Sequence, residues 1–110
     1  MDVRIRGTSS NSTGRVEILY SGSWGTICHY GWDDTDATVV CRQLGFKFGR
    51  ALRNGDGSEG KGEIWLNRVN CKGTETDIAD CEATEWGTSF CFHFQDAGVV
   101  CTDYDTKTSK

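Results

Sequence analysis

The spacing of apolar side chains predicts one main α-helix between Trp32 and Gly45. Four apolar residues recur there at positions i, i+3, i+4 and i+7, which form one stripe on a helix: Ala37, Val40, Cys41 and Leu44. The acidic and hydroxyl side chains at positions 33–36 can accept hydrogen bonds from the free N–H groups of a helix start. Arg42 suits the last turn, and Gly45 can adopt the left-handed conformation that ends a helix. Because Cys41 lies on the buried stripe, we expect a covalent link from this helix to another part of the fold.

Alternating apolar and polar positions predict four strands and a buried final strand: residues 3–6, 15–20, 23–28, 63–69 and 97–101. The Ser21-Gly22 pair joins the second and third of these runs as a β-hairpin. Residues 76–81 suit one or two helical turns capped by Thr76, and the glycine-rich residues 54–62 suit a mobile surface loop. No βαβ rhythm is present, so a parallel sheet is not expected. The pattern predicts an α+β fold in which a small curved antiparallel sheet packs on one main α-helix, with a short second helix.

The composition indicates a single extracellular domain. A chain of 110 residues has the usual length of one domain, which we place at residues 1–102, followed by a flexible tail at 103–110. Six cysteines, none closer than ten positions to another, favour disulfides in an oxidising compartment over a zinc site. The net charge of −4 argues against nucleic-acid binding, and no apolar run is long enough for a membrane span or a signal peptide. We therefore expect a module of a longer extracellular protein, with an N-glycosylation motif at Asn11-Ser12-Thr13.

Four segments carry a resemblance to a known family: GRVEILYSGSWGTIC at 14–28, DATVVCRQLGF at 36–46, GEIWLNRVNCKGTE at 62–75 and DAGVVC at 96–101. Over residues 3–101 the chain resembles the scavenger receptor cysteine-rich (SRCR) family. Phe46 stands where the eight-cysteine form of that family has a cysteine, so the chain resembles the six-cysteine form, group A. The resemblance implies an extracellular ligand-recognition domain of a receptor or secreted protein. Six cysteines allow fifteen pairings, and the resemblance implies one of them: Cys28–Cys91, Cys41–Cys101 and Cys71–Cys81.

The reactive side chains of the sequence do not favour an enzyme. Pairing of all six cysteines would leave no thiolate nucleophile, His29 and His93 are the only imidazoles, and no GxSxG-like motif is present. We therefore expect neither catalytic activity nor a cofactor in this domain. Since similar domains accompany secreted proteases and oxidases, a non-catalytic accessory role in such a protein stays an alternative.

The usual cation site of the family is altered in this sequence. The resemblance implies a Ca²⁺ or Mg²⁺ site built from two aspartates after the first cysteine and a glutamate before Asp-Ala-Gly. These three positions hold His29, Tyr30 and Gln95 here. Because hard cations prefer carboxylate oxygens, we expect no calcium binding there. The acidic cluster at the helix start could attract a cation weakly, but helix capping is the favoured interpretation for Asp33, Asp34 and Asp36.

The implied Cys28–Cys91 disulfide would bring His29 close to His93. With Asp96, these imidazoles could bind zinc or copper, or respond to pH. Two or three such ligands fall short of the closed tetrahedral set of a structural zinc site. A hydrogen-bonding role for His93 is therefore the favoured interpretation.

Four basic residues fall close together beside the glycine-rich stretch: Arg42, Lys47, Arg50 and Arg53. Arg68 and Lys72 could join them in space. A cationic cluster on an acidic domain would attract sulfated, phosphorylated or lipid polyanions, and the LGFKFGRAL segment resembles the basic stretch of macrophage scavenger receptors. We predict a patch for polyanionic or microbial-surface ligands, with scattered solubilising charge as the alternative.

The aromatic residues divide into two groups. Five of them suit the small core: Trp24, Trp32, Trp65, Trp86 and Phe46. Phe92 and Phe94 instead flank His93 in a segment that is usually polar in the family. Together with His29 and Tyr30 they could form an exposed patch for an extracellular protein partner. Salt dependence separates the two binding hypotheses, because polyanion binding weakens steeply with ionic strength and apolar docking does not.

Overall fold

Six strands and one α-helix are the main regular elements in the described part of the chain. The computed structural model describes residues 1–52, 60–83, 86–87 and 91–104. Within those residues the strands are β1 (Val3–Arg6), β2 (Thr13–Tyr20), β3 (Ser23–Ile27), β4 (Phe48–Leu52), β5 (Glu63–Leu66) and β6 (Gly98–Thr102). The helix α1 spans Asp34–Gln43, and two single 3₁₀ turns span Ile78–Asp80 and His93–Gln95. The predicted loop at 54–62 and the predicted tail at 103–110 lie outside the described residues, apart from 60–62 and 103–104.

The strands form one six-stranded sheet with the order β4-β6-β2-β3-β5, and β1 pairs with β2. β2 is the central strand, because its start pairs with β6, its middle with β1 and its end with β3. These pairs and the β4–β6 pair are antiparallel, whereas β3 and β5 run parallel. The sheet is thus mostly antiparallel, and the predicted α+β class is confirmed.

The helix begins at a capping box formed by two aspartates. The Asp33 side chain accepts a hydrogen bond from the Asp36 N–H at 3.0 Å, and the Asp36 side chain accepts one from the Asp33 N–H at 2.9 Å. Asp36 is fully buried and accepts a further hydrogen bond from the Cys71 N–H at 2.7 Å. Burial raises the pKa of Asp36 to about 7, although the N–H groups of Cys71 and Asp33 favour its charged form. The start of the helix is therefore tied to a distant part of the chain.

The apolar stripe of α1 packs on the face of the sheet that carries the core, and α1 lies directly against β4. Ala37, Val40 and Cys41 are completely buried. A Cβ atom at Gly49 would lie 2.6 Å from the Ala37 carbonyl oxygen and 2.7 Å from the Cys41 sulfur. Only glycine therefore allows this close approach of strand and helix.

The three disulfides implied by the resemblance are confirmed. They join Cys28 to Cys91, Cys41 to Cys101 and Cys71 to Cys81. Cys41–Cys101 links the helix to β6 and so fastens the two layers of the fold. No cysteine is free.

Three features of the fold differ from the sequence prediction. The sheet is not parallel, as expected, but it contains one parallel pair that was not predicted: the chain leaves β3, passes through α1 and β4, and returns along β3 as β5. β4 was not predicted, because its core-facing side chains are only Gly49 and Ala51. The predicted short second helix is a single 3₁₀ turn, and its cap is Asp77 rather than Thr76.

The four tryptophans occupy different environments in the structure. Trp32 is fully buried and donates its indole N–H to the Gly98 carbonyl at 2.8 Å. Trp65 and Trp86 pack at the margin of the core, where both contact the ring of Tyr20. Trp24 was predicted in the core but lies outside it, on the other face of the sheet. There the Arg4 guanidinium covers its ring at 3.9 Å.

Candidate recognition surfaces

The sheet face opposite α1 carries four arginines, which we call the arginine face: Arg4, Arg6, Arg15 and Arg50. Ile5 of β1 and Val16 of β2 face the core. Side chains alternate along a strand, so the adjacent Arg6 and Arg15 point to the opposite face. These two arginines stand directly opposite each other in the antiparallel register. Arg50 projects from the same side of the sheet, because the adjacent Gly49 faces the helix. Strand pairing therefore gathers arginines that are far apart in the sequence.

The Glu17 carboxylate lies within the arginine face. Glu17 accepts hydrogen bonds from the Nε–H groups of Arg4 and Arg15, each at 2.8 Å. Burial alone would raise the pKa of Glu17, but the hydrogen bonds and charges of these two arginines hold it below its usual value. Gly60 lies against the Arg15 side chain, which is almost buried, whereas Arg6 and Arg50 are exposed. Glu17 thus holds Arg4 and Arg15, whereas Arg6 and Arg50 are open to a ligand.

The basic cluster predicted from the sequence is divided by the fold. Lys47 and Arg50 lie just before β4 and within it, and both are exposed. Arg42 lies in the last turn of α1, on the other side of β4 from Arg50, and donates a hydrogen bond to the Gly73 carbonyl at 3.1 Å. Arg53 falls outside the described residues. Arg4, Arg6 and Arg15 were missed, although Arg4 and Arg6 already occupy the polar positions of a predicted strand.

The aromatic patch is formed by Tyr30, Phe92 and Phe94, with His29 at its border. Phe92 is 68% exposed, Phe94 55% and Tyr30 43%. The two phenylalanine rings lie parallel, with 5.8 Å between their centroids. Gln95 joins the parts of the patch, because its amide donates to the Tyr30 hydroxyl at 2.7 Å and accepts from the Phe92 N–H at 3.2 Å.

A single cation borders the aromatic patch on the Tyr30 side within the described residues. The Arg68 guanidinium lies 6.0 Å from the centre of the Tyr30 ring. Arg68 is exposed and lies next to Tyr30, so it belongs to this surface rather than to the arginine face. The patch combines large apolar rings with positive charge.

The side chains at the family's usual cation position do not fit a hard dication. His29, Tyr30 and Gln95 offer an imidazole, a phenol and a neutral amide instead of carboxylates. The Gln95 amide donates a hydrogen bond to the Tyr30 hydroxyl, so these two side chains already use part of their hydrogen-bonding capacity on each other. This position therefore lacks the carboxylate ligands on which a calcium-dependent function would rest.

His93 is held by hydrogen bonds. Its Nε2 atom lies 2.8 Å from the Gly62 carbonyl oxygen, and its Nδ1 atom lies 3.1 Å from both carboxylate oxygens of the buried Asp96. Asp96 also accepts a hydrogen bond from the Gly60 N–H at 2.9 Å. Over the described part of the chain, three potential metal-ligand side chains converge only at Cys71, Glu75 and Cys81, and both of those sulfurs form a disulfide. His93 thus forms hydrogen bonds on both sides of its ring, and the group His29, His93 and Asp96 is not among the convergent sets in the described residues.

The acidic residues at the helix start have structural partners. Asp33 and Asp36 form the capping box, and Asp34 accepts a hydrogen bond from the Ala51 N–H at 2.8 Å. One turn later, the Thr38 hydroxyl donates to the Gly49 carbonyl at 3.1 Å. These contacts fix α1 to β4, which agrees with the capping interpretation.

A small, mostly antiparallel sheet held by three disulfides against one helix is typical of extracellular domains. The model of the scavenger receptor cysteine-rich domain matches residues 6–102. The chain belongs to the SRCR family, and its six cysteines make it a group A member. Within the described residues, no helix is long and apolar enough to cross a bilayer.

Several known proteins are similar to this chain. It is 48% identical over 99 residues to the macrophage receptor MARCO of Mus musculus, covering 90% of this chain and 19% of that protein. It is 47% identical over 108 residues to the galectin-3-binding protein of Pongo abelii, covering 97% of this chain and 18% of that protein. The chain therefore spans about a fifth of the length of these relatives.

Two solved structures are also similar. The crystal structure of the dimeric form of the SRCR domain of mouse MARCO superposes with a TM-score of 0.78 at 49% identity, covering 90% of this chain and 93% of that one. The third SRCR domain of murine neurotrypsin superposes with a TM-score of 0.85 at 44% identity, covering 94% of this chain and 97% of that one.

Proposed function

We propose that this domain recognises extracellular polyanions through the arginine face, without calcium. The observation that supports the proposal is the convergence of Arg4, Arg6, Arg15 and Arg50 on one side of the sheet, with Glu17 as the carboxylate among them. Arg15 is held by Glu17, whereas Arg6 and Arg50 are exposed on the same side of the sheet. These two exposed guanidinium groups favour an anionic ligand.

The geometry also suits an extended ligand better than a single small anion. β1 and β2 carry Arg6 and Arg15, whereas Arg50 stands on β4, on the far side of β6. Adjacent strands are about 4.8 Å apart, so the arginines span roughly 10–15 Å across the sheet. A chain of sulfate or phosphate groups can contact several arginines at once, and the planar guanidinium fork matches each group.

The test is heparin binding measured by calorimetry at several salt concentrations, with either Ca²⁺ or a chelator present. We expect Arg6→Gln and Arg50→Gln each to weaken binding roughly fivefold, which is the effect of one exposed charge contact. Each substitution should also lower the salt slope by about one, because one fewer counterion is exchanged. The chelator should have no effect.

Arg42→Gln is the matched control, because Arg42 is equally exposed but lies on the helix. It should bind heparin like the wild type. A larger loss for Arg42→Gln than for Arg50→Gln would move the site to the helix end. Loss of binding with the chelator would overturn the calcium-independent mechanism.

We propose as a second candidate function that the aromatic patch binds an extracellular protein segment that presents an apolar side chain beside a carboxylate. The exposure of Phe92 and Phe94 favours an apolar contact, and Arg68 beside Tyr30 favours a negatively charged neighbour. A suitable probe is an immobilised peptide with a Glu-Leu-Glu core, compared with a Gln-Leu-Gln peptide. We expect the domain to prefer the first peptide, and Arg68→Gln to remove most of that preference.

The double variant Phe92→Ser/Phe94→Ser should abolish peptide binding, because it removes the two most exposed rings of the patch. Heparin binding by the same variant should stay unchanged, which shows that the domain is still folded. Equal binding of both peptides, or full binding by the double variant, would contradict this candidate function.

We propose further that the domain itself is non-catalytic. All six cysteines form disulfides, so no thiolate nucleophile exists. His93, the better placed of the two imidazoles for a hydrogen-bond relay, is held between Gly62 and the buried Asp96. Catalysis in a longer protein that contains this domain would then come from another part of that protein.

A further inference from the structure

We infer that Asn11 is an N-glycosylation site whose glycan stands beside the arginine face, at the end of the sheet where β4 begins. Asn11 lies in a bend between β1 and β2 and is exposed. The residues around it are small and polar: Thr8, Ser9, Ser10 and Ser12. In the part of the chain that the structure describes, the Asn11 amide forms no hydrogen bond, so a modified amide loses no contact of the fold.

The local sequence has the form that the secretory glycosylation machinery accepts. Asn11-Ser12-Thr13 ends in threonine, and the chain contains no proline that could block the motif. Three disulfides require passage through an oxidising compartment, which is where this modification takes place. The folded position of Asn11 agrees with a surface modification, because glycans are bulky and need an open loop.

The covalent step joins the asparagine side chain to a sugar. The co-reactant is an oligosaccharide linked through a pyrophosphate to a lipid. The bond from the anomeric carbon of its first sugar to the pyrophosphate breaks, and a bond from that carbon to the Asn11 amide nitrogen forms. The amide nitrogen gives up one proton to water, and the lipid pyrophosphate leaves with the electron pair of the broken bond.

The strand register places this glycan near the basic residues. The Ser12 carbonyl accepts a hydrogen bond from the Cys101 N–H at 2.8 Å, so Asn11 lies beside Thr102. The Thr102 carbonyl in turn accepts a hydrogen bond from the Lys47 N–H at 3.2 Å. Asn11 and Lys47 are therefore separated by two strand spacings, roughly 10 Å. A glycan is large enough to cover that distance, so it restricts the access of a polyanion from this end of the sheet.

The first arm of the test measures the modification alone. The chain is secreted from a glycosylating eukaryotic host, and its mass is measured before and after treatment with peptide N-glycosidase. We expect glycan on the wild type and on Thr13→Ser, which keeps the motif, but none on Asn11→Gln or Thr13→Ala. Secretion of the disulfide-bonded wild type without glycan overturns the inference, and Asn11→Gln remains informative if Thr13→Ala fails to fold.

The second arm rests on the proposed polyanion function and measures heparin binding. We expect glycosylated wild type to bind roughly fivefold more weakly than unmodified Asn11→Gln, which corresponds to losing one exposed charge contact. Enzymatic removal of the glycan leaves aspartate, so the deglycosylated protein is compared with Asn11→Asp. Equal heparin affinity with and without glycan overturns the proposed position of the glycan. If no form binds heparin, the polyanion function fails while the first arm still decides the modification.

Discussion

Replacing Cys41 and Cys101 together by alanine is expected to abolish the cooperative thermal transition of this domain. The disulfide closes a loop with a sequence separation of 60 residues, and its loss restores about 4 kcal/mol of conformational entropy to the unfolded chain. Both sulfurs are buried between α1 and β6, so alanine also leaves a void where the two layers meet. A domain of this size has a total stability of roughly 5–15 kcal/mol, so the combined loss removes much of it.

The matched control is the double variant Cys71→Ala/Cys81→Ala. This disulfide closes a separation of only 10 residues, so the same entropic argument gives less than about 3 kcal/mol. We expect a lowered but still cooperative transition, measured by calorimetry and circular dichroism. A sharp transition near the wild-type temperature in Cys41→Ala/Cys101→Ala would show that packing alone holds the helix on the sheet.

Between about pH 4 and pH 7, the contribution of Asp36 to stability is expected to decrease as the pH rises. In the folded domain the pKa of this buried carboxyl is raised to about 7, from 3.8 in an exposed aspartate. Between these values the folded state holds a proton that the unfolded state has released, so rising pH favours unfolding. The free energy of unfolding should fall by up to about 1.4 kcal/mol per pH unit in that window. Urea unfolding at half-unit pH steps measures this slope.

Asp36→Asn should remove this slope, because the variant has no proton to release at position 36. The comparison must use the difference between variant and wild type, since Glu17, Glu75 and Asp77 have lowered pKa values and add stability as the pH rises. Asp103→Asn serves as the control at an exposed position and should leave the profile unchanged. Parallel profiles for Asp36→Asn and the wild type would mean that the Cys71 and Asp33 N–H groups fully stabilise the Asp36 carboxylate.

Local signals predicted much of the scaffold. The helix could be located because its apolar stripe, its capping aspartates and its terminal arginine all agree. β1, β2 and β3 follow alternation within a few residues of their observed ends. β4 was not predicted, because the residues that face the helix, Gly49 and Ala51, are small to allow close packing. They therefore do not produce the alternating pattern of large apolar residues that marks a strand.

The recognition surfaces were less accessible to sequence reasoning. Arg4, Arg15 and Arg50 are neighbours only through the strand order β4-β6-β2 and the pairing of β1 with β2, and no local pattern reveals such an order. Nearness along the chain instead grouped Arg42 with Arg50, which the fold separates by placing them on opposite sides of β4. The exposure of Phe92 and Phe94 was expected from the family's preference for polar residues in that segment, and both rings are exposed.

The order of the sheet has a consequence for how the protein is made. β6 is the last strand among the described residues, yet it lies inside the sheet between β4 and β2. During synthesis the amino-terminal strands emerge first and meet a sheet whose interior position is still empty. The partners of Cys28 and Cys41 are synthesised only about sixty residues later, so neither native disulfide can form before then. The helix and β6 can therefore be linked through Cys41–Cys101 only after nearly the whole domain has been synthesised.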